Sequence, residues 1–198
     1  ALSPLFDIAR DPRYGRVEEC YGEDPFLVKE MGVAFVKGLQ GEPEQSAEGI
    51  APGKLAAMGK HFVAYSKPES GINIAPALVG ERELREDHLY PFEAAVKEAN
   101  IYSIMPGYHE IDGVPIHANK WLLKDILRDE WGFNGYIFSD YEAIGMMDYL
   151  HHTADGPKET GYQAITAGVD VEAPGAYGYK HLIELVQEGR LSESVIDE

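Results

Sequence analysis

Asp140 closes the short apolar run Tyr136-Ile137-Phe138, with Ser139 between them. The run is β-prone and follows a Gly-rich break, so it reads as a buried strand that ends on an acid. An acid at the carboxyl end of a buried parallel strand points into the crevice where α/β proteins place their chemistry. There it can be a nucleophile, a base or a ligand, or it can cap the next helix, with Glu142 and Ala143 following. Polar residues recur after each predicted strand: Asp7 and Arg16, Lys60 and His61, Tyr108 and His109, Asp140, and Glu172. A carboxylate surrounded by cations and hydroxyl donors suits a neutral, polyhydroxylated substrate such as a sugar.

Each of these residues also admits a structural role. Arg13 and Arg16 stand among Glu18, Glu19, Glu23 and Asp24, so an ion-pair network and a substrate contact are both open, one for each arginine. Lys60-His61 is harder to explain that way, because lysine is rarely buried without a partner. Tyr108 can be a core aromatic with its hydroxyl satisfied. Glu172 can pair with Lys60 or an arginine. His151-His152 has no nearby Cys or patterned acids and reads as a solvated loop. A P-loop, a dinucleotide glycine pattern, a helical zinc motif and Gly-x-Ser-x-Gly are all absent. No metal and no cofactor is expected.

Composition narrows the partners. The chain has 198 residues, enough for one domain, and 44% hydrophobic content, enough for a core. A net charge of −17 with no basic stripe argues against nucleic acid or an anionic membrane. The single Cys20 excludes an intrachain disulfide and a Cys-based metal site. No run approaches membrane-spanning length. The chain starts at Ala1 inside a predicted strand, so a piece of a longer protein is expected, and its compartment stays open.

The elements that position these residues alternate. Leu2 to Ile8 reads as a strand running into a charged, Pro- and Gly-containing loop. Asp24-Pro25 starts a helix whose Leu27, Met31, Ala34, Phe35 and Gly38 share one face. Residues 41–53 read as a surface loop. Leu55 to Met58 is a strand ending at Gly59-Lys60-His61-Phe62, and the long Tyr65–Gly80 loop favours function. A helix covers Glu81 to Asn100, with Leu84, His88, Leu89, Phe92, Val96 and Ala99 inward and a break or kink at Pro91. Ile101 to Met105 is the next strand, followed by an Asp112-Gly113 turn. Asn119 caps a helix with Leu122, Leu123, Ile126, Leu127 and Trp131 inward. Residues 158–167 are helical and stop at Gly168, Val169 to Val171 is a strand, and His181 to Glu188 is a helix, after which Ser192 caps a further turn. Five strand–helix alternations imply parallel pairing through right-handed crossovers. An open doubly wound sheet and the later part of an eight-fold barrel fit this pattern equally.

One ordered set of motifs goes further. Arg10-Asp11-Pro12-Arg13-Tyr14-Gly15-Arg16, Gly22-Glu23-Asp24-Pro25, Lys60-His61-Phe62, Met105-Pro106-Gly107-Tyr108, Asp112-Gly113-Val114-Pro115 and Trp131-Gly132-Phe133 through Ser139-Asp140 occur in that order. The set closely resembles the N-terminal barrel domain of family-3 glycoside hydrolases, the β-glucosidase-like group, and covers essentially the whole chain. The resemblance implies an α/β fold, a partial (β/α)8 barrel spanning residues 1–198 as a single domain, with its first strands upstream of Ala1 and a further domain downstream. It makes Asp140 the catalytic nucleophile, Arg16, Lys60 and His61 holders of sugar hydroxyls, Tyr108 a neighbour of the nucleophile, and Tyr141 part of the sugar-binding wall.

The implied activity is retaining hydrolysis of terminal β-D-glucosyl residues. A β-xylosidase and a non-catalytic sugar-binding relic are the alternatives, and a carbohydrate is the expected partner. The general acid/base of the β-glucosidase branch lies in a following domain, so the isolated piece is expected to be inactive. The His–Asp dyad of the N-acetylglucosaminidase branch has no counterpart, since Tyr65–Gly80 holds neither His nor Asp. Ser70-Gly71 stand where some relatives carry an arginine.

Overall fold

Segments far apart in sequence hydrogen-bond into a parallel ladder. The computed structural model describes residues 1–46 and 49–197. Its strands are β1 (Met58–Phe62), β2 (Ser103–Pro106), β3 (Glu110–Ile111), β4 (Val114–Pro115) and β5 (Tyr136–Ile137). β1, β2 and β5 form one parallel sheet in that order, and β3 and β4 form a small antiparallel hairpin. Isolated parallel bridges, Leu5 with Lys60 and Phe138 with Val171, extend the ladder on both sides. Both faces of β1 and β2 are largely buried, as parallel strands under helices must be. The expected alternation and parallel pairing are therefore present, with Leu2–Ile8 and Val169–Val171 as single-bridge edges.

The register carries the carboxyl ends together. Lys60 pairs with Met105, and Ile104 with Ile137. The chain past each strand then emerges at one rim, carrying Tyr108, Asp140 and Glu172. β1 begins later than expected: Leu55 is exposed, and Lys60 and His61 lie within the strand rather than after it. Gly59 makes this possible, because a Cβ there would lie 3.1–3.2 Å from Ile101, Phe6 and Ile104. A side chain there would have to push these three neighbours back by a few tenths of an ångström.

The helix Pro25–Gln40 starts as expected, with Asp24 Oδ1 accepting the Phe26 N–H at 2.9 Å. Its buried side is not the anticipated one. Val28, Gly32, Val33, Val36 and Gln40 face inward, while Leu27, Met31, Ala34, Phe35 and Gly38 are exposed. Two local contacts decide this. Gly32 accommodates the Phe6 ring, and buried Gln40 bonds the Ala57 and Tyr102 N–H groups and the Asn100 carbonyl. A stripe containing Gly and Gln looks weakly apolar in sequence and loses to its neighbour on pattern alone.

The predicted Glu81–Asn100 helix is broken one turn before Pro91. Leu84–His88 forms a wide turn in which the Leu89 N–H reaches the Leu84 carbonyl at 2.7 Å. The regular helix is Tyr90–Ala99, with Pro91 in its first turn, where the missing N–H has no helical partner to lose. Val96 is only partly buried. Trp121–Glu130 is also wound widely; Asn119 Oδ1 accepts the Leu122 N–H at 3.1 Å, as expected of its cap. The helices Gly156–Ala167 and Leu182–Gln187 lie where anticipated, and the Ser194 N–H meets Ser192 Oγ. The helix that the sequence allows after Asp140 runs Ala143–Tyr149, and Pro43–Ser46 is a short helical turn within the predicted 41–53 loop. Ala47 and Glu48 of that loop lie outside the described residues.

Two glycines of the Pro25–Gln40 helix should behave oppositely. A Cβ at Gly32 would lie 2.0 Å from the buried Phe6 ring, so Gly32→Ala should cost about 1–3 kcal/mol. Gly38 has open space, and Gly38→Ala should stabilise by roughly 0.5–1 kcal/mol. Urea denaturation of both variants checks the buried face directly.

Candidate active site

Asp140 sits on the turn after β5, only 7% exposed. Its Oδ1 accepts the Tyr141 N–H at 2.8 Å, and its own N–H donates to His117 Nε2 at 3.1 Å. The following helix starts from Glu142, in left-handed backbone at φ 64°, with no side-chain cap. Asp140 is therefore not the helix cap. Its Oδ2 is buried with no hydrogen-bond partner among the described residues. A buried carboxylate oxygen left open is costly unless something is meant to meet it.

His61 faces that oxygen, with Nε2 3.7 Å from Asp140 Oδ2. The ring is buried and held from both sides. Asp7 Oδ2 accepts from His61 Nδ1 at 2.9 Å and from the His61 backbone N–H at 3.2 Å, and Arg16 Nη1 lies 2.9 Å from Nε2. Arg16 also forks onto Glu19, with Nη2 2.7 Å from Oε2. That bond raises the guanidinium above its usual value, against burial, and lowers the Glu19 carboxyl. Arg13 instead makes a bidentate pair with Asp11 at the surface. The two arginines thus divide the structural and the site position.

Lys60 is half-buried and makes no ion pair among the described residues. Burial lowers its ammonium below the usual value and Arg16 adds to this, while Asp140 works in the opposite direction. Burial raises the Tyr108 phenol, and the nearby Asp140 charge raises it further. Tyr65 fills the floor, with its ring 4.8 Å from His61, 5.8 Å from Tyr14 and 6.1 Å from Tyr108. Tyr141 is 49% exposed on the outer side of the turn. The structure therefore gathers Arg16, Lys60, His61, Tyr108 and Asp140 at one rim, with Tyr141 beside them.

Glu172 is elsewhere engaged: its carboxylate accepts the Gly178 and Tyr179 N–H groups and pairs with neither Lys60 nor an arginine. His151 is not solvated; its Nε2 lies 2.8 Å from the Tyr108 carbonyl. His117 was missed altogether. It lies in the short turn Ile116–Ala118 after the hairpin, where no periodic pattern flags it. Burial pulls its pKa down to about 3, so it is a neutral acceptor for the Asp140 N–H. Among the described residues no group of His, Cys, Asp or Glu is arranged to hold a metal ion. Among the described residues no helix is long and apolar enough to cross a membrane.

Comparison with known proteins identifies the family. The model of the glycosyl hydrolase family 3 N-terminal domain matches residues 1–198. The chain belongs to glycosyl hydrolase family 3. It is 50% identical over 171 residues to a β-xylosidase of Formosa agariphila, covering 86% of this chain and 23% of that one. A β-glucosidase structure from Erythrobacter marinus superposes with a TM-score of 0.95 at 42% identity, covering 98% of this chain and 25% of its own. A β-glucosidase of Listeria innocua in complex with glucose matches at 0.90 and 38% identity, covering 100% of this chain and 27% of its own. The chain thus spans about a quarter of the length of these family-3 relatives. The parallel sheet with its helices is a partial (β/α)8 barrel of that family, as the motif set implied.

The buried histidines set an acid limit on this family-3 fold. Burial lowers His88 and His109 to about 4 and His117 to about 3, against 6.5 in the open chain. Between those values the unfolded chain binds protons that the folded one refuses, so stability falls as pH drops below 6.5. The slope should approach about 1.4 kcal/mol per pH unit for each histidine. Urea midpoints between pH 7 and about pH 5.5 measure it, above the range where the lowered carboxylates of Asp11 and Glu19 contribute.

Proposed function

We propose that this chain carries the nucleophile and the sugar-gripping cations of an exo-acting, retaining β-glucosidase. The unpartnered Asp140 Oδ2, faced by His61 and flanked by Lys60 and Tyr108, is the observation that supports it. In this mechanism Oδ2 attacks the anomeric carbon while the leaving oxygen takes a proton from a second acid. A covalent glycosyl ester forms, and water then hydrolyses it with the same acid acting as base. Arg16, Lys60 and His61 hold the hydroxyls of the terminal sugar. Tyr108 lies beside the nucleophile, and Tyr141 forms part of the sugar wall. A neutral glycoside also suits a chain of net charge −17.

The second acid is proposed to come from another part of a longer polypeptide. Retaining enzymes place it about 5–5.5 Å from the nucleophile. Asp7 is committed to His61, Glu19 to Arg16, and Glu172 to its own loop. Glu142 lines a neighbouring cavity of about 380 Å³ with Tyr149 and Tyr177. The exposed stripe of Leu27, Met31 and Phe35 supports the same view, because barrel helices pack against a neighbour on each side. A β-xylosidase is the second possibility, favoured by the 50% identity to the Formosa enzyme.

A panel of aryl β-glycosides tests the substrate class, and proton NMR of the first-formed sugar tests the stereochemistry. The longer polypeptide should release the β-anomer from the glucoside; a faster xyloside would move the assignment, and no turnover of either would leave a sugar-binding relic. The 198-residue chain alone should be inactive, and parent-like turnover by it would mean that an internal acid such as Glu142 suffices. Lys60→Ala and His61→Ala should each lower kcat/KM by on the order of 10²-fold with folding retained.

A further inference from the structure

His61 is held in a pattern that leaves the proton positions little freedom. A guanidinium has only N–H donors, so Arg16 Nη1, 2.9 Å from His61 Nε2, needs a lone pair on that nitrogen. The ring proton must then sit on Nδ1, where Asp7 Oδ2 accepts it at 2.9 Å. The same Asp7 oxygen takes the His61 backbone N–H, so ring and main chain are tied to one buried anion. On the far side, Asp140 Oδ2 is 3.7 Å from Nε2 and open. An Nε2–H imidazole could donate to that oxygen if the two drew closer, and would lower its nucleophilicity.

We propose that Asp7 is a positioning residue that holds the His61 proton on Nδ1 and so keeps His61 from hydrogen-bonding the Asp140 carboxylate. Asp7 touches neither the reacting atoms nor the sugar; it acts through the ring of His61. Nε2 stays an acceptor, met by Arg16 in the free protein and by a sugar hydroxyl once substrate displaces that contact. The inference rests on Asp140 being the nucleophile, but its test reads a proton position and not a rate. Failure of one therefore does not imitate failure of the other.

The experiment is two-bond ¹H–¹⁵N correlation on protein labelled with ¹⁵N-histidine, with the His61 signals identified by their loss in His61→Gln. Wild-type His61 should show a protonated Nδ1 and a bare Nε2 at neutral pH. Asp7→Ala, which removes the acceptor of the Nδ1 proton, should move that proton to Nε2 and break the Arg16 Nη1–His61 Nε2 contact. Asp7→Asn should keep the wild-type pattern, because an amide oxygen can accept both His61 N–H groups. Wild-type His61 carrying its proton on Nε2, or on both nitrogens, would overturn the proposal without any variant. Retention of the Nδ1 pattern in folded Asp7→Ala would do the same. If Asp7→Ala does not fold, Asp7→Asn decides together with the wild type, and an Nε2 proton in it overturns the proposal. In the active polypeptide, Asp7→Asn should lose under about 10-fold in kcat, and folded Asp7→Ala on the order of 10²-fold with a smaller change in KM.

Discussion

Lys60 pairs with Met105 and Ile104 with Ile137 in one parallel ladder, and that register decides where every polar group of the site can go. Parallel strands end at the same rim, so residues separated by scores of positions in sequence arrive within bonding distance. His61 and Asp140 meet at 3.7 Å because their strands flank the same β2. A shift of one residue in β1 would turn His61 to the opposite face. The absence of a side chain at Gly59 and the packing of Phe6 against Gly32 protect that register from below. The rim therefore depends on small residues on the sheet and helix that no functional motif would single out.

Burial then does the electrical tuning. Asp7, Glu19 and Asp140 face Arg16 and Lys60 around the His61 ring, and most of these groups are largely removed from water. In such surroundings each charge must be answered by a specific partner. Asp7 is answered by His61, and Glu19 by Arg16. Lys60 and one oxygen each of Asp140 and Asp7 are left over among the described residues; the Asp7 side chain is fully buried, whereas that of Asp140 is 10% exposed. His117 adds a different element: a neutral, buried acceptor that fixes the Asp140 main chain and leaves its carboxylate free.

Much of this was legible in the sequence. The positions of Tyr108 and Asp140 just past their strands follow from apolar runs of strand length that stop on polar residues, whereas Lys60 and His61 proved to lie within β1. The ordered motif set then selected a barrel where periodicity alone allowed an open sheet. What escaped depends on contacts across the fold. The outward stripe of Leu27, Met31 and Phe35 looks more apolar than the true inner face, because Gly32 and Gln40 are chosen for a ring and for stray backbone groups. His117 sits in a turn with no repeat around it. Asp7 was visible as a strand-end acid, but its partner lies 54 positions away.

Covalent trapping tests the account at its centre. A 2-deoxy-2-fluoro-β-glucoside with a good leaving group should glycosylate the active polypeptide, releasing its aglycone, faster than the resulting ester can be hydrolysed. Peptide mapping by mass spectrometry should then find the sugar on Asp140 and nowhere else, with no labelling in Asp140→Asn. A sugar carried by any other carboxylate, or undiminished labelling in that variant, would contradict it.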